Sequence, residues 1–580
     1  VLNILLGRRK THSYGLVATC IIAFALMLRI LLILLHWPAT NSDESVMALI
    51  ANDIAYHGKT PVIFYGQDYM GLIEAYLGAL FYHLTGGLSI TALRLGVVLL
   101  MGVFFVVMYH LTRLLYSPKL ALLTLAILSV STLSYVGRLV LATGGSAETL
   151  VFGALSFLLA ARLSYTYQRH TTVSSRLRRL PGYLCFGIIV GLGIWSDMVG
   201  APLYLMATLL LLVFCWREIF IYGGWLIGLV GGAIGLLPTI LYALQNPGKS
   251  LLGGLLSQAE GAPLDARPEQ LTLWHKVVET FQVSLPTATG SPFCPVIEYP
   301  FMGDNTRRSL TCGIIQSSWS LGYILLMAAS IAIAIAALTY LKQSQKGLSQ
   351  VEQHRQQVSY VARLCLLGAA VLSILIYINS AGPVDQPGYH ARYLVSLFVV
   401  TPAMLAPLYY AARSLREGHR WARVRFYGSR AILGALIMIL IAGTGMAFIE
   451  IPKAHAEIAR RQHLIDQLNA LHVSYLYTDY WTCYSLVVAT INTRHPIVCS
   501  VIDNQGSPRH ERIPAFRVAL KNSKRSPFMC ATDFTLTTRP LYDCLPYVQA
   551  LVKKTNDQIG RYFVRHKLDG YILYRPEPKS

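Results

Sequence analysis

Residues 14–37 read YGLVATCIIAFALMLRILLILLHW, and residues 38–45 continue as PATNSDES. The first stretch holds one charged side chain, Arg29. As a helix rising ~1.5 Å per residue it spans a hydrocarbon core of ~30 Å, so it reads as a transmembrane helix. It is too long for a signal peptide and has no small-residue cleavage site, so it is expected to stay as the first span. The second stretch puts two adjacent carboxylates, Asp43 and Glu44, where the chain has just left the bilayer. A polar segment then runs to about Gly87 and includes Gly58, Pro61, Tyr65, Gly66, Gln67, Asp68 and Tyr69. Carboxylates followed by turn formers and tyrosines at that depth predict a site at the membrane surface.

The rest of the chain repeats the apolar pattern. Of 580 residues 54% are hydrophobic and 13% charged, which excludes a soluble globular chain. Further apolar runs cover residues 92–115, 120–135, 147–165, 183–196, 200–215, 222–244, 319–341, 360–378, 393–410 and 431–448, giving about eleven transmembrane helices with the first. Basic clusters at 8–10, 113–119, 169–179, 217, 342–355 and 413–430 fall in alternate loops, and the positive-inside rule assigns those loops to the cytoplasm. The amino terminus is then cytoplasmic, and segments 38–90, 246–318, 379–392 and everything after 451 face outward in a multi-pass cell-membrane protein. The net charge of +21 reflects this anchoring and contact with membrane lipids, not nucleic acid.

Residues 1–450 therefore form a membrane domain and residues 451–580 a smaller extracytoplasmic one. In the latter, helical periodicity over 455–471 gives way to a strand-like stretch at 473–478, a helix near 484–490 and a strand at 497–502. A helix over 545–566 and a strand at 571–574 complete an α/β order. Cys294 and Cys312 share one external loop, while Cys483, Cys499, Cys530 and Cys544 share the terminal domain. Even counts in an oxidising compartment predict disulfides, Cys483 with Cys499 and Cys530 with Cys544 being the preferred pairing of three. Cys20, Cys185, Cys215 and Cys365 lie in spans and read as small apolar side chains. No Cys/His cluster has zinc spacing, so no metal site is expected.

The order helix, Asp43-Glu44, helix, Gly58, Pro61, Tyr65-Gly66-Gln67-Asp68-Tyr69-Met70-Gly71, Glu74 and an amphipathic stretch to Leu84 resembles the first external loop of GT-C glycosyltransferases. Their protein O-mannosyltransferase, aminoarabinose lipid A transferase and bacterial family 39 group is the nearest in pattern. Gly193-Ile194-Trp195-Ser196, Leu237-Pro238, Asn246-Pro247 and His390-Ala391-Arg392-Tyr393-Leu394 extend the resemblance over most of the membrane part. It weakens beyond, where Tyr477-Thr478-Asp479-Tyr480-Trp481-Thr482 is similar to a segment of some bacterial relatives.

The resemblance implies a polytopic GT-C-like fold and an inverting transfer of one sugar from a polyprenyl-phosphate donor to a hydroxyl of a glycan, lipid or protein acceptor at the outer face. No cofactor is required. The departing phosphate needs no general acid, so one carboxylate suffices to take the acceptor proton, and the resemblance assigns this to Asp43. Cationic groups must meet the phosphate as charge builds on it. The candidates are Arg392, with His390 beside it, Lys59, Arg138 and Arg29. Glu44, Asp68, Tyr69 and Glu74 are candidates for acceptor binding or site support. Each has a plainer reading: Asp43 as a helix N-cap, Glu44 as a helix-dipole partner, Lys59 and Arg29 as snorkelling residues, Arg138 paired with Glu148, and Glu74 and Asp68 as loop-shaping groups. A lipid-linked sugar transporter or flippase, and a glycan-binding sensor or assembly protein, are the alternative functions. The gathering of polar residues in external loops, away from the bilayer midplane, weighs against the transporter.

Overall fold

The computed structural model describes residues 2–168, 172–247, 272–290, 309–343, 349–384, 386–413, 420–508, 510–523, 526–532, 544–559 and 563–577. Among them, eight helices are long and apolar enough to cross a membrane, or up to ten if each of two bent helix pairs is one span. The difference from eleven lies in three apolar runs that the backbone interrupts. The run 120–135 divides into α5 (Pro118–Ser129) and α6 (Leu133–Arg138), because Thr132 leaves helical conformation and its side chain caps α6 at Tyr135 N. The run 222–244 bends by 59° between Gly224–Gly235 and Leu237–Gln245, where Pro238 opens the second helix and has no N–H to continue the first. Ahead of the run 393–410, Pro387–Leu394 meets Leu397–Ala411 at 75°. Short helices and bends of this kind interrupt the apolar runs with irregular backbone.

The first helix, α1 (Leu2–Leu34), leads into α2 (Ser42–Tyr56) and α3 (Ile73–Thr85), which lie against α4 (Ile90–Leu115) and α7 (Ser146–Tyr165). Asn41 is the N-cap of α2, accepting from Glu44 N, so Asp43 sits inside the first turn and is not the cap. The helices Leu180–Ser196 and Gly224–Gly235 pack backbone to backbone. A Cβ on Gly187 would lie 2.1 Å from Gly228 O, and one on Gly231 would lie 2.2 Å from Leu184 O, so only glycine permits this approach.

Helix Arg420–Ile449 is followed by Ile451–Ala470, which delivers the chain to a five-stranded sheet of order β2-β1-β3-β5-β4. β1 (Tyr475–Thr478) runs parallel to β2 (Val498–Val501) and β3 (Phe528–Ala531). β5 (Tyr571–Pro576) is antiparallel to β3 and to β4 (Phe563–Leu568). Disulfides join Cys483 to Cys499 and Cys530 to Cys544, each with Cα atoms 5.6 Å apart. The first ties helix Tyr480–Thr490 to β2, and the second ties β3 to the start of helix Leu545–Ile559. Cys312 is disulfide-bonded, and Cys294 lies outside the described residues.

This small domain docks on the first loop. Ser42 Oγ donates to Tyr480 O at 2.7 Å, Arg461 Nη2 donates to Thr40 O at 2.7 Å, and Arg512 Nη1 donates to Gly66 O at 2.7 Å. His455 Nε2 lies 2.9 Å from Leu35 O. Gly66, at φ +68, takes a left-handed conformation under Glu511 and Arg512, whose backbone a Cβ would approach to 3.3 Å.

Candidate active site

The site forms where four parts of the chain meet around Asp43. The carboxylate accepts the Tyr389 hydroxyl on Oδ2 at 3.1 Å and the Tyr480 hydroxyl on Oδ1. Tyr389 and Tyr480 are buried, whereas Asp43, Arg392, Tyr393 and Tyr69 keep partial exposure. Asp479 caps helix Tyr480–Thr490 through Thr482 N, and this cap aims the Tyr480 ring back at α2.

The turn after Pro387–His390 supplies one cation, Arg392, and two more come from elsewhere. Arg392 Nη1 donates to Tyr389 Oη at 2.9 Å and Nη2 to Tyr393 Oη at 3.1 Å, with its guanidinium over both rings at 4.5 and 5.0 Å. Arg138, at the carboxyl end of α6, donates from Nη2 to Tyr389 O at 2.9 Å and lies 4.6 Å from the same ring centroid. Tyr135, one turn earlier, pins the turn by donating to Ala391 O at 3.1 Å. His390 stacks on Tyr393 at 5.4 Å and 10°. Arg512 arrives from the small domain, 5.3 Å from the Tyr480 ring and 5.8 Å from the Phe64 ring. It is 8% exposed, and its Nε has no hydrogen-bond partner among the described residues.

Partial burial pushes the Asp43 carboxyl up, but the charges of Arg392 and Arg512 and the two tyrosine hydroxyls outweigh it and hold the group below the usual carboxylate range. None of Arg138, Arg392 or Arg512 has a carboxylate within ion-pair distance among the described residues. Arg138, Arg392 and Arg512 outnumber the two nearby carboxylates, Asp43 and Asp197, and leave positive charge in excess. Such charge is costly unless an anion joins it.

The other sequence candidates fall in different places. Glu44 is fully buried, and Arg94 Nε and Nη2 each grip it at 2.7 Å while Ala142 N donates to it at 3.1 Å. It is a structural anchor and not an acceptor ligand. Arg94 also donates to Pro38 O at 2.8 Å, fixing the turn into α2. Lys59 is 59% exposed and pairs with Asp53 at 2.9 Å, a carboxylate of its own loop that also takes the Tyr65 hydroxyl, so it holds no phosphate position beside Asp43. Arg29 neither snorkels nor reaches the site. It turns inward to donate to Ala25 O and Ser129 O, the free carbonyl end of α5, and lies 5.1 Å from the Phe105 ring. Asp68 accepts from the Tyr242 hydroxyl, bracing the loop against helix Leu237–Gln245. Glu74 accepts from Gly144 N at 2.7 Å; burial and then the neighbouring Glu148 push its carboxyl well above the usual range. Glu148 thus neighbours Glu74, while Arg138 turns to Tyr389. Tyr69 lies among Arg392, Arg512 and Tyr393, and burial raises its hydroxyl pKa.

Sequence reasoning missed Tyr389, Arg94 and Arg512, and left Tyr480 without a role. The aromatic density of residues 389–393 and the Tyr480-Trp481 pair were visible signals, while Arg512 in its basic neighbourhood offered none. No group of three or more His, Cys, Asp or Glu side chains suits a metal ion among the described residues.

No family model matches the chain. None of the curated proteins matches it in sequence either. Solved structures do. ArnT from Cupriavidus metallidurans bound to undecaprenyl phosphate superposes with a TM-score of 0.53 at 12% identity, covering 97% of this chain and 99% of that one. The oligosaccharyltransferase AglB from Archaeoglobus fulgidus, in complex with an inhibitory peptide and a dolichol-phosphate, gives 0.50 at 13% identity over 98% and 74%. The chain has the GT-C fold of multi-pass membrane proteins, with a small sheet domain at its carboxyl end.

Proposed function

We propose that the protein is an inverting glycosyltransferase that moves a single sugar from a polyprenyl-phosphate carrier to an acceptor hydroxyl at the outer face of the membrane. The observation that carries this reading is the partly exposed carboxylate of Asp43, set beside arginines that have no carboxylate within ion-pair distance among the described residues. Asp43 takes the proton of the attacking hydroxyl as its oxygen bonds to the anomeric carbon and the carbon–phosphate oxygen bond breaks. A single displacement inverts that carbon. Arg392 and Arg138 hold the phosphate and meet the charge that grows on it, and Tyr389 keeps Arg392 and Asp43 in register. The chain's own groups supply every step, so no metal or other cofactor is required. The carrier phosphates named for ArnT and AglB support a lipid phosphate as the leaving group here. The reading places the amino terminus in the cytoplasm and Asp43 with the small domain outside, with a glycan, lipid or protein as acceptor.

The test incubates the purified full chain with a panel of undecaprenyl-phosphate sugars and a cell-envelope extract that supplies glycan, lipid and protein acceptor hydroxyls, and follows release of undecaprenyl phosphate. One sugar should be released by the wild type and retained by Asp43→Asn. Absence of release from every donor, with the protein folded, would overturn the reading.

A further inference from the structure

Asp43 stands between two cationic surfaces of different origin. Its Oδ2 faces Tyr389, which carries Arg392 and Arg138 on elements of the membrane part; its Oδ1 faces Tyr480, which carries Arg512 on the small domain. A lipid phosphate is held at the bilayer by its tail and so reaches the membrane-side pair. Arg512 approaches Asp43 through Tyr480 of the small domain and not through Tyr389, and so offers negative charge a second point of attachment.

Arg512 is also built into place. The Tyr484 hydroxyl accepts from Arg512 N at 2.6 Å and donates to Glu511 Oε1 at 2.7 Å. Glu511 Oε2 in turn accepts from Ser500 Oγ at 2.6 Å and Val501 N at 3.0 Å. Two aromatic rings and the bond to Gly66 O fix the guanidinium, yet its buried Nε is left with a donor and no acceptor. A buried guanidinium with an unspent Nε–H and no carboxylate within ion-pair distance among the described residues suits an oxygen of an anionic ligand.

We propose that Arg512 forms a second anion site, on the Tyr480 side of Asp43, that holds a phosphate or carboxylate group of the acceptor next to its reacting hydroxyl. The assignment to the acceptor rests on the function proposed above; the existence of the second anion site does not. It makes the small domain the acceptor-reading part of the molecule, and Tyr480 marks the position that the incoming hydroxyl takes against Oδ1.

The experiment measures binding to the detergent-purified full chain in phosphate-free buffer, with undecaprenyl phosphate as carrier-side probe and methyl phosphate and acetate as small acceptor-side probes. Wild type saturated with undecaprenyl phosphate should still bind at least one small anion. Arg512→Gln should weaken that binding by ~10-fold or more, the loss expected for a charge-assisted pair. Undecaprenyl phosphate affinity should stay unchanged in Arg512→Gln, and Arg392→Gln should show the reverse pattern. Arg512→Lys, which keeps the charge, should retain part of the small-anion binding and controls for folding. Binding of neither small anion to the carrier-loaded wild type, or equal weakening of carrier and small anion in Arg512→Gln, would overturn the proposal. Failure of undecaprenyl phosphate to bind the wild type would count against the function reading alone, and the small-anion arm run without carrier would still decide for or against the second site.

Discussion

Replacing Asp43 with Asn changes one atom and separates charge from shape. The amide keeps one acceptor oxygen, so one of the Tyr389 and Tyr480 hydroxyls keeps its bond. The other meets an NH2 group, and Tyr389 Oη already receives Arg392 Nη1, so the mismatch falls most heavily there. Loss of the charge also removes the anionic neighbour of Arg392 and Arg512. A charge-assisted hydrogen bond becoming a neutral one costs about 1.5 kcal/mol of stability, a modest fall in melting temperature. Turnover should fall far more, by at least ~100-fold or about 2.7 kcal/mol, because an amide cannot take the acceptor proton. The pH profile carries the sign. The folded-state pKa lies below the unfolded one, so the contribution of Asp43 to stability is full above ~3.9 and is lost as pH falls through the depressed value. The base is therefore ionised throughout the neutral range, and kcat/KM should show no acidic limb from this group between pH ~5 and 8. The assay is release of undecaprenyl phosphate, with melting temperature and expression as controls. Near-normal turnover by folded Asp43→Asn, or an acidic limb near neutrality that the variant lacks, would refute the reasoning.

Three further outcomes follow from the surroundings. Glu44→Gln breaks a buried bidentate pair and leaves Arg94 charged and unpaired, so thermal unfolding in detergent should show a loss of about 3–5 kcal/mol; an unchanged melting temperature would contradict the anchoring role. Glu74, whose folded carboxyl ionises later than the unfolded one, gives stability that is full below pH ~4.3 and is lost as pH rises through the folded value. Glu74→Gln should match the wild type in acid and exceed it at alkaline pH, and parallel melting-temperature curves would exclude this. Serine at both Cys483 and Cys499 opens a loop with a sequence separation of 16 and should cost about 3 kcal/mol, read as faster proteolysis of the small domain; equal resistance would show that the bridge adds nothing.

The membrane class and most spans were legible because burial in lipid demands long apolar runs, and the chain has them. The interruptions at Thr132, Leu236 and 395–396 were not, since a cap or a proline inside an apolar run lowers hydropathy very little. Asp43 drew notice through its position after the first helix, and of the two roles open to Glu44, acceptor binding or site support, the structure shows the supporting one. One helical residue is a rotation of ~100°, which turns Glu44 into the protein while Asp43 faces out. Lys59 and Arg29 show the same limit: charge near the right depth says nothing of direction, and both found nearer acceptors in Asp53 and Ser129 O. Tyr480 and Arg512 lay beyond reach because their proximity to Asp43 is set by docking across more than four hundred residues of chain.

That docking also sets the order of biogenesis. A nascent chain threads its spans into the bilayer and can form the bond between Tyr389 and Asp43 well before residues 480 and 512 exist. The membrane half is thus inserted with its carboxylate in place but its outer wall missing. The site is complete only when the small domain has formed its disulfides and settled on Ser42 and Gly66. Folding and docking of the small domain then become the step that completes the site, and a chain stalled before it remains an inserted but unfinished protein.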